Sequence, residues 1–294
     1  MIPPRKKTLL DDVVEALRSV PGIAAIALGG SHARGTHRPD SDLDIGLYYR
    51  EAAPFAVSDI RNIAERFASA PPTVTGFYEW GPFVNGGAWI ENPVCKIDFI
   101  YRNIEQLERT IEDAERGKSE HSYDQHPPFG FRSVTTLGEI ACAEPLFDPN
   151  GILLALKRRV AVYPPKLKSN LIQTMLWGAE FSFVFAKGFA MDGDVPNTVG
   201  CMTRIYHYLV HALFALNETY LVNDKRIAAV IEGFAIKPAG FIARSNAIIG
   251  QAGTAPSELG SSLEELKALF DETVPLAKDL YRSRYRMPSA AADR

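Results

Sequence analysis

The stretch that decides the fold reads Leu28-Gly29-Gly30-Ser31-His32-Ala33-Arg34-Gly35, followed closely by Asp40-Ser41-Asp42-Leu43-Asp44-Ile45. Ile23 to Leu28 is a short apolar run that reads as a buried strand, Gly29 to Asp40 is a polar, glycine-containing loop, and Leu43 to Tyr49 resumes as a strand. Residues two apart in a strand share a face, so Asp42 and Asp44 point one way while Leu43 and Ile45 enter the core. Two carboxylates side by side repel unless a cation sits between them. A hard divalent ion with oxygen ligands, most naturally Mg²⁺, meets that need and usually takes substrate phosphates as further ligands.

A third acid comes from Val94-Cys95-Lys96-Ile97-Asp98-Phe99-Ile100-Tyr101, where alternation sets Asp98 against Ile97 and Phe99. If this strand pairs beside the first acids, Asp42, Asp44 and Asp98 converge and can hold two metal ions about 3.5–4 Å apart. Asp98 would then ligate the second ion or take the proton of an acceptor hydroxyl. Gly29 and Gly30 let the backbone approach a ligand closely. Their amides and the Ser31 hydroxyl would cradle phosphates, and Arg34 adds a forked, permanently charged contact. His32 and Lys96 stay unassigned between function and structure. The reaction these parts imply is transfer of a nucleoside monophosphate with release of pyrophosphate.

The flanking chain sets the architecture. Leu9, Val13, Leu17 and Val20 form a helical stripe that Pro21-Gly22 ends. Val57 to Ala70 and Ile104 to Lys118 read as helices, Thr73 to Trp80 and Gly87 to Ile90 as strands, and Pro82 to Gly86 as a turn. Ser119 to Arg132 is loop-like and marks a boundary, with His121 to His126 as a solvated connector. Beyond it, Lys166 to Phe189, Thr198 to Tyr220 and Leu263 to Tyr285 are long, apolar-rich and poor in strand signals. The expectation is an α+β fold: a small mixed sheet domain over residues 1–132, followed by an all-α helical bundle over 133–294. Trp177, Phe181, Phe183, Phe185 and Phe189 are assigned to the bundle core.

The 294 residues suffice for two domains, and 46% hydrophobic with 23% charged residues is ordinary for a soluble protein. A net charge of −3 argues against an extended nucleic-acid surface. Cys95, Cys142 and Cys201 are odd in number and lack metal spacing, which suits reduced thiols in a cytoplasmic protein. No signal-like segment and no long uninterrupted apolar run is present, so no membrane association is expected.

The glycine-serine loop with its Asp-x-Asp partner resembles the signature of the DNA polymerase β-like nucleotidyltransferase superfamily, over about residues 23–102. The two-part layout is similar to bacterial antibiotic nucleotidyltransferases, which adenylylate aminoglycosides or lincosamides. It is also similar to stand-alone nucleotidyltransferase-domain proteins, in which the string Trp80 to Trp89 precedes the strand of the third acid. The resemblance implies that Gly30 and Ser31 contact triphosphate, that Asp42 and Asp44 ligate metal, and that Asp98 is the third acid. The antibiotic enzymes commonly add a glutamate base near the acceptor, and Glu79, Glu91 and Glu139 are all open for that role.

The helical half offers Arg204, His207 and His211 at one helical spacing, with Lys225 beyond them. Lys225 is a candidate phosphate contact. Arg204 and His211 resemble the Arg-x6-His ribonuclease signature of HEPN helical domains, while the plainer alternative is a hydrogen-bonded core histidine pair. The expected activity is Mg²⁺-dependent transfer of a nucleoside monophosphate, from ATP or another nucleoside triphosphate, to a small-molecule hydroxyl. The alternatives are transfer to a protein or tRNA, as in toxin–antitoxin systems, or a nucleotide-binding regulatory module without turnover.

Overall fold

The computed structural model describes residues 2–124 and 126–284. Two compact units result: residues up to Ala114 together with Ser119–Val162, and Glu115–Lys118 together with the chain from Tyr163 onward.

The first unit begins with α1 (Pro4–Leu17), whose first turn opens on proline, where no amide partner is needed. β1 (Ala25–Leu28) leads into the single-turn α2 (Gly30–Ala33), then β2 (Leu43–Tyr49) and α3 (Val57–Phe67). β3 (Thr73–Val74), β4 (Gly87–Ile90) and β5 (Ile97–Asn103) follow, then α4 (Ile104–Glu115). A two-strand ladder, β6 (His121–Ser122) with β7 (Phe131–Arg132), occupies the expected boundary loop. α5 (Val134–Cys142), β8 (Glu144–Phe147) and α6 (Ile152–Val160) complete the unit.

Six strands form one mixed sheet in the order β3-β4-β5-β2-β1-β8. β2 and β5 are parallel; every other neighbouring pair is antiparallel. Burial alternates along β5 without exception, as the sequence pattern requires. Leu28, Leu43, Ile45, Leu47, Ile97 and Phe99 form the inner face with Leu10, Val13 and Leu17 of α1 and Ile60 and Ala64 of α3. β8 joins the sheet beside β1, so the first unit continues past Arg132 to Val162. Pro145 fits in β8 because an edge strand leaves one row of amides outside the ladder.

The second unit is helical: α7 (Pro165–Met191), α8 (Val195–Leu216), α9 (Ile227–Glu232), α10 (Phe241–Gly250) and α11 (Pro256–Leu276). α7, α8 and α11 pack mutually. Asp194 caps α8 by accepting from the Asn197 amide at 3.1 Å. The third long helix starts and stops earlier than expected; Pro275 stands in its last turn, and the forecast end at Tyr285 lies outside the described residues. One core expectation fails. Phe183 is buried at 6% exposure, but Phe181 and Phe185 stand 39% and 51% exposed. They are four residues apart, so they share a helix face, and with Trp177 they form an outward ladder of ring contacts. Among the described residues no helix is long and apolar enough to cross a membrane.

Candidate active site

Two of the acids become neighbours through strand register. Asp44 in β2 and Asp98 in β5 are direct partners across the parallel pair, with backbones about 4.8 Å apart. Asp42 lies two residues before Asp44 at the entrance to β2. A turn over Arg38–Ser41 delivers it: the Ser41 amide donates to the Arg38 carbonyl at 3.1 Å, and the Arg38 amide donates to Ser41 Oγ at 2.8 Å. Pro39 suits the second position of such a turn.

The loop after β1 is laid directly on Asp44. The Gly29 amide donates to the Asp44 carbonyl at 2.8 Å. Gly30 has φ +59°, and a Cβ there would stand 1.7 Å from Asp44 Oδ2. Only glycine fits this position. Gly30 is itself the first residue of the short helix, Ser31 follows it, and Arg34 closes it, its Nε donating to the Gly30 carbonyl at 3.1 Å. Thus Gly29, Gly30, Ser31, Arg34, Asp42, Asp44 and Asp98 all fall at one end of the central strands β1, β2 and β5. Among the described residues, no group of three acidic, histidine or cysteine side chains is gathered as a ready-made metal cage.

Charges around the acids come from residues the sequence left unassigned. Lys96 pairs with Glu91 at 2.9 Å. That contact raises the Lys96 pKa, and Asp42 and Asp98 add to the rise, so a firmly protonated amine stands beside the acids. Lys6 is buried at 5% exposure and donates to the Ser41 carbonyl at 2.6 Å, fixing the turn before Asp42. The signal for Lys6 was its phase: it shares the helical stripe of Leu9, Leu10, Val13 and Leu17. His32 is buried against His37, with ring centroids 4.4 Å apart. Burial, then His37, holds its pKa below the ordinary imidazole value.

The same sheet face carries Gly46, Tyr48, Ile100 and Arg102 beyond the acids. Tyr48 folds back over Gly46, where a Cβ would lie 2.9 Å from its ring; burial pushes its pKa up to about 12. Arg102 is tied to Glu139 of α5 at 2.7 Å. The three glutamates open as a base are thus all engaged: Glu139 with Arg102, Glu91 with Lys96, and Glu79 accepting from the Gly76 amide at 2.8 Å. Across β4, Trp89 is the register partner of Asp98, and its ring meets Trp80 with centroids 3.6 Å apart.

In the helical unit, His207 and His211 are buried and linked Nε2 to Nε2 at 3.0 Å. Arg204 is exposed, and its Nε donates to the Tyr208 hydroxyl at 2.9 Å. The arginine and the histidine pair therefore part company in burial, as a core pair beside a surface arginine does. Lys225 sits in the exposed segment between α8 and α9, where its amide donates to Asn223 Oδ1 at 3.0 Å.

Residues 10–117 match the nucleotidyltransferase domain family. The crystal structure of a nucleotidyltransferase-like protein from Exiguobacterium sibiricum 255-15 aligns over 93% of this chain and 76% of its own, with 11% identity and a TM-score of 0.45. Among curated proteins, none matches the sequence.

Proposed function

We propose that the protein moves a nucleoside monophosphate from a nucleoside triphosphate, with ATP as the leading choice, to a hydroxyl of a small molecule, a reading supported by the match of residues 10–117 to the nucleotidyltransferase domain family. The observation that carries this reading is the Asp44–Asp98 register pair lying under the Gly30 turn. It sets a phosphate-cradling backbone against two hard oxygen donors, with a third, Asp42, two residues away. All three are carboxylates, the donor type that suits Mg²⁺. Asp42, Asp44 and Asp98 would hold the ions, which when bound neutralise charge on the reacting phosphates.

The chain's own residues divide the remaining work. The Gly29–Gly30 backbone and the Ser31 hydroxyl bind the β- and γ-phosphates, and Arg34 adds a cation whose own side chain is anchored to the loop. Asp98 accepts the hydroxyl proton of the acceptor, whose oxygen then bonds to the α-phosphorus as the bond to pyrophosphate breaks. A carboxylate in this position explains why the three glutamates can be spent on structural contacts.

Calorimetric titration with a non-hydrolysable ATP analogue tests the reading. Wild type is expected to bind it with Mg²⁺ at least tenfold more tightly than without, a margin of about 1.4 kcal/mol. Asp42→Asn with Asp44→Asn is expected to erase that margin. A double variant that keeps the full metal dependence would refute the assignment. Asp98→Asn is expected to retain most nucleotide affinity while pyrophosphate release with an acceptor stops.

A further inference from the structure

In an in-line displacement the leaving group and the attacking oxygen stand on opposite sides of the phosphorus. That requirement, read against the sheet order, gives the site a direction. The loop proposed to hold the departing pyrophosphate follows β1; the acids lie on β2 and β5; the next strand outward is β4. The acceptor must therefore enter from the β4 side.

What stands there is aromatic. Trp89 is the direct antiparallel partner of Asp98, so both side chains project from the same face with Cβ atoms about 5 Å apart. Trp80, from the segment between β3 and β4, closes on it with centroids 3.6 Å apart and planes tilted by 46°. Each indole is half-buried, which fixes it in place and leaves part of its surface to solvent. Neither tryptophan is needed for the inner core, which gathers on the opposite face of the sheet.

We propose that Trp80 and Trp89 form the acceptor platform, and that the acceptor is a ring-bearing alcohol which stacks on this indole pair and presents one hydroxyl to Asp98. The inference rests on the nucleotidyl-transfer reading above. A hydroxylated ring matches the platform because an indole face attracts a flat π system or the C–H face of a sugar ring, while the ring hydroxyls stay wet. The balance is that of the transfer itself: the hydroxyl oxygen borne on the ring gains the bond to the α-phosphorus, its proton passes to Asp98, and pyrophosphate leaves with the electron pair of the broken bond.

The test uses the full chain with Trp177→Phe, so that Trp80 and Trp89 alone emit among its three tryptophans. With Mg²⁺ and the non-hydrolysable ATP analogue saturating, emission is titrated with methyl β-D-glucopyranoside, with adenosine and with mannitol. Half-saturation by at least one ring compound is expected about tenfold below that of acyclic mannitol, in keeping with the cost of losing a stacked ring. Whichever ring binds distinguishes a sugar from a nucleoside acceptor. Adding Trp89→Ala is expected to remove this preference, Trp89→Phe to restore most of it, and both to leave the analogue's dissociation constant within twofold. Equal response to ring and chain compounds overturns the platform. So does a tenfold loss of analogue affinity in Trp89→Ala, which would give the indoles to the nucleotide base. If wild type fails to bind the analogue with Mg²⁺ at all, the fault lies in the reading of the acids, and the platform falls with it.

Discussion

At Gly30 a single methyl group is incompatible with the site. An alanine would pay the cost of φ +59° and also drive its Cβ into the Asp44 carboxylate. Gly30→Ala is expected to lower Mg²⁺-dependent nucleotide affinity at least about tenfold while leaving the circular dichroism spectrum unchanged, since the strain is confined to one turn. His32 behaves differently. Its imidazole titrates below the ordinary value of 6.5 because burial and His37 disfavour the charged form. The unfolded chain therefore binds the proton more readily, and stability is full above pH 6.5 and lost as pH falls from there towards the lower folded value. Urea denaturation at pH 7.5 and 5.5 is expected to show that loss in wild type and a smaller one in His32→Gln. The acids were legible at this scale because alternation assigns a face to every strand residue. Lys6 was not, because a lysine in an apolar stripe ordinarily keeps its amine in water, and only the Ser41 carbonyl explains its burial.

Among the elements, periodic ones were read well and short ones poorly. β2 runs from Leu43 to Tyr49 as its alternation required, and α7 and α8 lie close to their forecast limits. β3 shrinks to two residues, and α2 appears inside what the sequence marks only as loop, since a single turn leaves no period to detect. α7 carries the sharpest lesson. It is rich in apolar residues, so composition assigned every aromatic residue to the core, although its buried positions form a stripe that leaves Phe181 and Phe185 outside. Phe183→Ala is expected to cost about 3–5 kcal/mol in urea denaturation. Phe185→Ser, on the exposed ladder, is expected to stay within about 0.5 kcal/mol. Equal losses would mean that the outward rings are packed against something in solution.

On the scale of the whole molecule, the fold class was legible because strands and helices segregate along the chain, and the division near Arg132 was less so. β8 holds only four residues, one of them proline, and reads as loop until β1 is there to pair with it. Charge speaks at this scale too. A net charge of −3 supplies no general attraction to a phosphate backbone. Fluorescence anisotropy with labelled duplex DNA at 0.15 M salt is expected to give a dissociation constant weaker than about 100 μM. A micromolar value would require a basic surface that the net charge conceals.

The parallel register of β2 and β5 also carries a consequence in time. Asp44 and Asp98 are more than fifty residues apart, and one helix, α3, and the antiparallel β3–β4 pair separate their strands. Closing that distance is entropically slow, and parallel pairing cannot be nucleated by a tight turn. During synthesis, the glycine loop and the first two acids emerge well before the strand that completes them. A nascent chain can thus form the Gly30 turn over Asp44 early, but Asp98 joins it only when β5 docks, so on the proposed assignment catalytic competence is acquired late and all at once.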